Sequence, residues 1–140
     1  MAFDLCDDTS TLEGVLSRLI FQLLNQNPTV VREASNWNEI ELSVSLQGDD
    51  KRKGLCAALL KIVNLQSDRV FIVLNRPDLS KEDSAYEYLE IMLELAEKTT
   101  AELKVMIVQR AEFWDFESDL RRMGTRRNIL HAMRRDQSRL

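Results

Sequence analysis

Val70-Phe71-Ile72-Val73-Leu74-Asn75-Arg76-Pro77-Asp78 is the stretch on which the fold class turns. Five apolar residues stand in a row, four of them β-branched or aromatic, and they stop at Asn75-Arg76-Pro77-Asp78, which is turn chemistry. Such a run predicts a buried strand. A second run, Leu103-Lys104-Val105-Met106-Ile107-Val108, repeats the pattern. Between the two, Ser80 with Asp83 reads as the cap of a helix that turns Tyr86, Leu89, Met92, Leu93 and Ala96 inward and Glu87, Glu90, Glu94 and Glu97 outward. Strand, helix, strand at this spacing is a βαβ unit, and uninterrupted apolar runs are what parallel strands covered on both faces require. The expected fold is therefore α/β: a short, mostly parallel sheet of about three strands flanked by helices.

Working toward the N-terminus, Leu55, Ala58, Leu59, Ile62 and Val63 recur at helical spacing and predict another helix. From Asn38 to Gly54 the chain is polar. Ile40, Leu42, Val44 and Leu46 alternate with Glu41, Ser43 and Ser45 there, so an exposed strand and a loose helix are both compatible with the pattern. Pro28 suits the first position of a shorter helix carrying Val30, Val31, Ala34 and Trp37. Before it, Leu12, Val15, Leu16, Leu19, Ile20, Leu23 and Leu24 define one face of a helix that ends near Asn27, with Ser10-x-x-Glu13 in the form of a capping box. Ala2-Phe3-Asp4-Leu5-Cys6 alternates weakly and reads as a first strand.

At 140 residues the chain fits one domain, and with 44% hydrophobic and 30% charged residues it can bury a core. Four Gly and two Pro are too few for a turn-dense β-sandwich or a linker. No apolar run approaches the length that crosses a bilayer, and the acidic start lacks a basic secretory n-region. Two cysteines, Cys6 and Cys56, make a disulfide framework improbable on spacing alone, so a reduced, cytoplasmic setting is expected. Charge is uneven: residues 120–140 hold seven Arg against Asp136, a balance of +6 inside a chain of net −4. That end is expected to be a basic amphipathic helical segment over 120–140, with the chain after Arg110 helical in two pieces broken near Gly124. Arg121, Arg122, Arg126, Arg127, Arg134, Arg135 and Arg139 form its candidate interaction surface, for nucleic acid, anionic lipid or the acidic body of the same chain.

The glycines of Gly48-Asp49-Asp50-Lys51-Arg52-Lys53-Gly54 are one position too far apart for a phosphate-binding loop. Leu55 stands where such a loop needs Lys, and two aspartates would repel the nucleotide. The segment is expected to be a solvated turn.

The order of motifs nevertheless resembles the nucleotide-binding domain of NACHT-type signalling ATPases, in particular the fungal proteins similar to the N-terminal region of nephrocystin-3. Leu16 to Pro28 is similar to that family's helix after its second strand. Phe71 to Asp78 resembles its Walker B strand and turn, and Lys104 to Arg110 its sensor strand. The departures define what the resemblance implies. Asn75 stands where the family has its magnesium-coordinating Asp, and an amide is a poorer partner for a hard dication. Asp78 keeps the first acidic position of the turn, but Leu79 replaces the water-activating Glu, and a leucine accepts no proton. Arg110 matches the sensor Arg, while Gln109 replaces the Ser before it. The family's central strand and Walker A loop have no counterpart here.

The resemblance thus implies a truncated, non-catalytic domain that is no enzyme and carries no cofactor, with Asn75, Asp78 and Arg110 as vestigial positions. Its function would be regulatory or scaffolding, through a protein partner or self-association. A weak residual nucleotide binder and a basic-tailed binder of nucleic acid or membrane surface are the alternatives. Because the family's sensor strand pairs with the missing central strand, Leu103 to Val108 is expected to present an open edge, to be covered by the C-terminal segment of the chain or by a strand of a partner, or else to leave the chain poorly stable alone.

Overall fold

The structure, a computed structural model, describes residues 1–80, 85–109, 118 and 129–133. Four strands, β1 (Ala2–Leu5), β2 (Val70–Asn75), β3 (Leu103–Gln109) and β4 (Ile129–Met133), form one sheet in sequence order, and every pairing is parallel. The helices are α1 (Leu12–Gln26), α2 (Ala34–Val44), α3 (Lys51–Asn64) and α4 (Ala85–Lys98), with short 3-10 turns at Pro28–Val31, Gly48–Asp50 and Pro77–Leu79. The α/β class and the parallel sheet are as the two apolar runs require.

The core lies on one side of that sheet. Ala2, Val70, Ile72, Leu74, Leu103, Val105 and Ile107 are buried together with Leu12, Leu16, Leu19 and Leu23 of α1, Leu55, Leu59, Ile62 and Val63 of α3, and Leu89, Met92 and Leu93 of α4. The opposite strand positions behave differently. Phe3, Leu5, Phe71 and Met106 are 42%, 62%, 41% and 37% exposed. Cross-strand register aligns Phe3 with Val73 and Val73 with Met106, and in the next row Leu5 with Asn75 and Asn75 with Val108. Among the described residues, then, cover is seen on one face: apart from Lys104 the two runs are apolar, yet only every second residue is packed away.

Residues 38–44, where strand and helix competed, belong to α2. Only Ile40 of that helix is buried, and Leu42 is 70% exposed, so the alternation there reflects no sheet. The cap of α1 also moves by one residue. Thr11 accepts from the Gly14 amide at 3.1 Å, while Ser10 Oγ accepts from the Asp7 amide and Glu13 pairs with Arg52. In α4 the fully buried tyrosine is Tyr88 rather than Tyr86, which is half-buried; Leu95 joins the inner face. Ser80 Oγ donates to the Ser10 carbonyl at 2.7 Å, tying the loop after β1 to the loop after β2; Asp83, the other residue of the expected cap, lies outside the described residues.

Two expectations about the C-terminal part change. Residues 129–133, inside the segment expected to be helical, form strand β4. Because β4 pairs along Val105–Gln109, the edge of β3 that was expected to be open carries a strand of the same chain, and no partner is needed to fill it. The remainder of 110–140, apart from Ser118, lies outside the described residues.

Candidate functional site

In an open parallel sheet, ligands bind beyond the carboxyl ends of the strands, and the turns after β1 and β2 hold the polar residues in question here. Asn75 ends β2 and is half-buried; its carbonyl accepts from the Cys6 amide at 2.9 Å. Arg76 follows in the left-handed region at φ 59° and ψ 53°, a conformation that costs a non-glycine residue about 1 kcal/mol. Its amide donates to the Val108 carbonyl, and its guanidinium forks onto Asp78 at 2.8 to 3.3 Å. That pairing occupies Asp78, whose side chain is only 5% exposed. Leu79 is on the surface at 40% exposure, and Gln109 is buried at the end of β3. Arg110 and the seven C-terminal arginines, Arg121, Arg122, Arg126, Arg127, Arg134, Arg135 and Arg139, lie outside the described residues.

The turn after β1 is closed in the same way. Asp7 Oδ1 accepts from the amide and hydroxyl of Thr9 at 2.8 and 2.6 Å and from Ser10 Oγ, and these bonds, the Thr9 hydroxyl foremost, hold its carboxyl below the usual range. Below it, Asp4 is buried and takes both arms of the Arg18 guanidinium at 2.6 and 3.0 Å. Sequence reading missed this pair, since 14 residues separate the partners and neither stands in a motif.

The chemistry available follows from these pairings. Asp4 and Asp78 are paired with Arg18 and Arg76, whose positive charge is matched in turn, and Asp7 commits its Oδ1 to donors of its own loop. Among the described residues no group of three or more His, Cys, Asp or Glu is placed to hold a metal ion. Gly48 and Gly54 form no phosphate loop. Gly48 takes φ 65° to enter the 3-10 turn, and Gly54, expected in a solvated turn, is buried within α3 against α2. The larger hollows lie elsewhere: a groove of about 490 Å³ between α3 and α4, lined by no strand residue, and a polar one of about 360 Å³ at the opposite ends of the strands, beside Met1, Gln26, Gln66 and Val70.

Cys6 is the nucleophile nearest the strand ends, and its surroundings disarm it. Burial, then the neighbouring Asp4 carboxylate, push its thiol up to about 12, far above the range in which a thiolate is present at neutral pH. Cys56, half-buried on α3, is also raised by burial. In the folded protein at pH 8 a maleimide should therefore modify Cys56 and leave Cys6 intact, with both reacting only after unfolding; rapid labelling of Cys6 in the native state contradicts this. The raised Cys6 value also has a sign for stability. The native state holds a proton that the unfolded chain releases near its ordinary pKa, so this contribution is complete below about pH 9 and declines as pH rises toward 12.

Among the described residues, the surface with directed character is the half-exposed face of the sheet. Phe3, Leu5, Phe71, Val73, Met106 and Val108 line it, with Lys104 set beside Phe71 in register. Comparison with protein-family models, curated proteins and solved structures gave no match in any of the three. Among the described residues no helix is long and apolar enough to cross a membrane.

Proposed function

We propose that the chain is a non-catalytic module, related to NACHT-type nucleotide-binding domains, that acts by protein contact in a regulatory or scaffolding role. The observation that carries the reading is the half-exposed, largely apolar face of the sheet that no described residue is seen to bury. A parallel sheet is ordinarily packed on both sides, and β2 and β3 keep apolar residues at the positions a second layer would cover. Exposed aromatic and aliphatic side chains contiguous across three strands are what a partner protein buries. The relation to NACHT domains is supported by the parallel β1-β2-β3 order and by the placement of Asn75 and Asp78 at the end of β2. It is a non-catalytic relation because Asn75 offers no carboxylate and Asp78 is held by Arg76.

Photocrosslinking in the cell tests the contact. With benzoylphenylalanine at position 71 or 106, a discrete protein adduct is expected, and the same label at position 42 on the exposed side of α2 should give none. Equal labelling at all three positions, or no adduct at 71 and 106, overturns the reading.

A further inference from the structure

β1 is the other edge strand of the sheet, and the outward main-chain groups of Met1 and Phe3 are already taken. Gln22 exchanges two hydrogen bonds with Phe3: its Oε1 accepts from the Phe3 amide at 2.8 Å and its Nε2 donates to the Phe3 carbonyl at 2.7 Å. Gln26 does the same at Met1, its Oε1 accepting from the Met1 nitrogen at 2.6 Å and its Nε2 donating to the Met1 carbonyl. A side-chain amide used in this way reproduces the pair of bonds that a residue of a neighbouring strand would make. The match has a metric cause. Four residues of α-helix rise about 6.0 Å, and two residues of strand span about 6.6 Å, so an i, i+4 pair on α1 meets an i, i+2 pair on β1. One helical turn earlier, Arg18 anchors Asp4 and fixes the alignment of helix and strand.

We infer that Gln22 and Gln26 are an edge cap, and that the strand they cover is a latent pairing site for a second copy of this chain. The second copy is favoured over an unrelated strand by self-complementarity. The outward positions are Met1, Phe3 and Leu5, symmetric about Phe3, so an antiparallel twofold pair places Phe3 against Phe3 of the other copy and Met1 against Leu5. All three side chains are apolar and exposed, at 68%, 42% and 62%, and would be joined across the axis. The one charged side chain of the strand, Asp4, points to the buried side and is matched by Arg18, and the Met1 ammonium of each copy falls against Leu5 of the other, so no like charges are directly opposed. In the native chain each copy would have to give up the four glutamine bonds to form this pair, and that cost holds the edge closed.

The test compares the full chain with its Gln22→Ala/Gln26→Ala variant by light scattering from about 1 to 100 μM, the concentration range over which marginal edge pairing shows. Amide exchange over residues 1–5 is read in parallel. The variant is expected to dimerise with a dissociation constant at least tenfold below any wild-type self-association, and to protect the Phe3 and Leu5 amides more strongly as concentration rises. Should the double variant fail to fold, Gln22→Ala alone frees the central Phe3 and carries the same expectation with weaker association. A folded variant whose mass equals that of the wild type, with Phe3 exchanging freely at every concentration, overturns the inference. So does a wild-type chain that already protects Phe3 in a concentration-dependent way. Association through the half-exposed sheet face would leave the exchange of these edge amides unchanged, which separates this outcome from the protein-contact reading above.

Discussion

Replacing Gly54 with alanine should destabilise the protein by about 2 kcal/mol, although the same change in an open helix would gain about 1 kcal/mol from propensity. A Cβ at this position would lie 2.1 Å from the Ser43 carbonyl oxygen and 3.1 Å from Leu46 Cδ1. The first of these is main chain of α2, which no rotamer change can move, so α2 must shift away from α3 or the α3 backbone must bend. Overpacking of this kind costs about 1–3 kcal/mol, and a carbonyl contact this close belongs at the upper end. Because α2 buries only Ile40 of its own residues, it is the element that gives way. Thermal unfolding should show a midpoint lowered by roughly 6 °C or more, with exchange raised first in residues 34–44. An unchanged or raised midpoint would mean that α2 does not cross α3 at Gly54.

The second large effect is expected at Arg18. Changing it to methionine leaves the Asp4 carboxylate, 2% exposed, without the two bonds that compensate its burial. Breaking one partner of a buried pair costs about 3–5 kcal/mol. The Arg18 side chain is 49% exposed, so water reaches the gap and the lower figure applies, about 3 kcal/mol. Removing both charges is a different matter. In Asp4→Val/Arg18→Met no orphan remains, and the strand gains a β-branched residue facing the core, so urea titration should return most of the lost stability. A double variant as unstable as Arg18→Met would show that the cost lies in lost packing of the arginine stem rather than in the stranded carboxylate.

The parts of the fold legible in the sequence were those where one kind of periodicity stood alone. The faces of α1 and α3 and the runs of β2 and β3 belong here, because a long apolar pattern leaves few packings open. The alternation from Ile40 to Leu46 was ambiguous because α2 buries so little that its pattern is set by solvent, not by core. The cap of α1 fell one residue late because Ser10 is drawn into the Asp7 turn and its carbonyl into the Ser80 contact, a tertiary tie between loops 70 residues apart. For β4, the arginines around Ile129 to Met133 outweighed a short apolar run that pairing with β3 turns into a strand.

The geometry of the candidate site was not legible in the sequence. Asn75 and Leu79 stand out only against the NACHT pattern that the chain resembles. That Asp78 is held by Arg76 depends on a left-handed residue before a proline, which no spacing reveals. Gln22 and Gln26 look like ordinary polar residues on the rim of an amphipathic helix, and only the placement of β1 beside them gives them a role. The half-exposed face was not legible for a simple reason: strands that are apolar at nearly every position look the same whether one face or both are packed away.

The proposed contact module binds no nucleotide at its strand ends, and a thermal-shift titration with ATP and ADP, with and without Mg²⁺, tests this most directly. Ligand at 100 times its dissociation constant would stabilise the native state by about 2.7 kcal/mol, a rise of roughly 8 °C in a domain of this size. No displacement of the midpoint at millimolar nucleotide is expected under any of the four conditions. A Mg²⁺-dependent rise that disappears when Asn75 and Asp78 are both changed to alanine would contradict it.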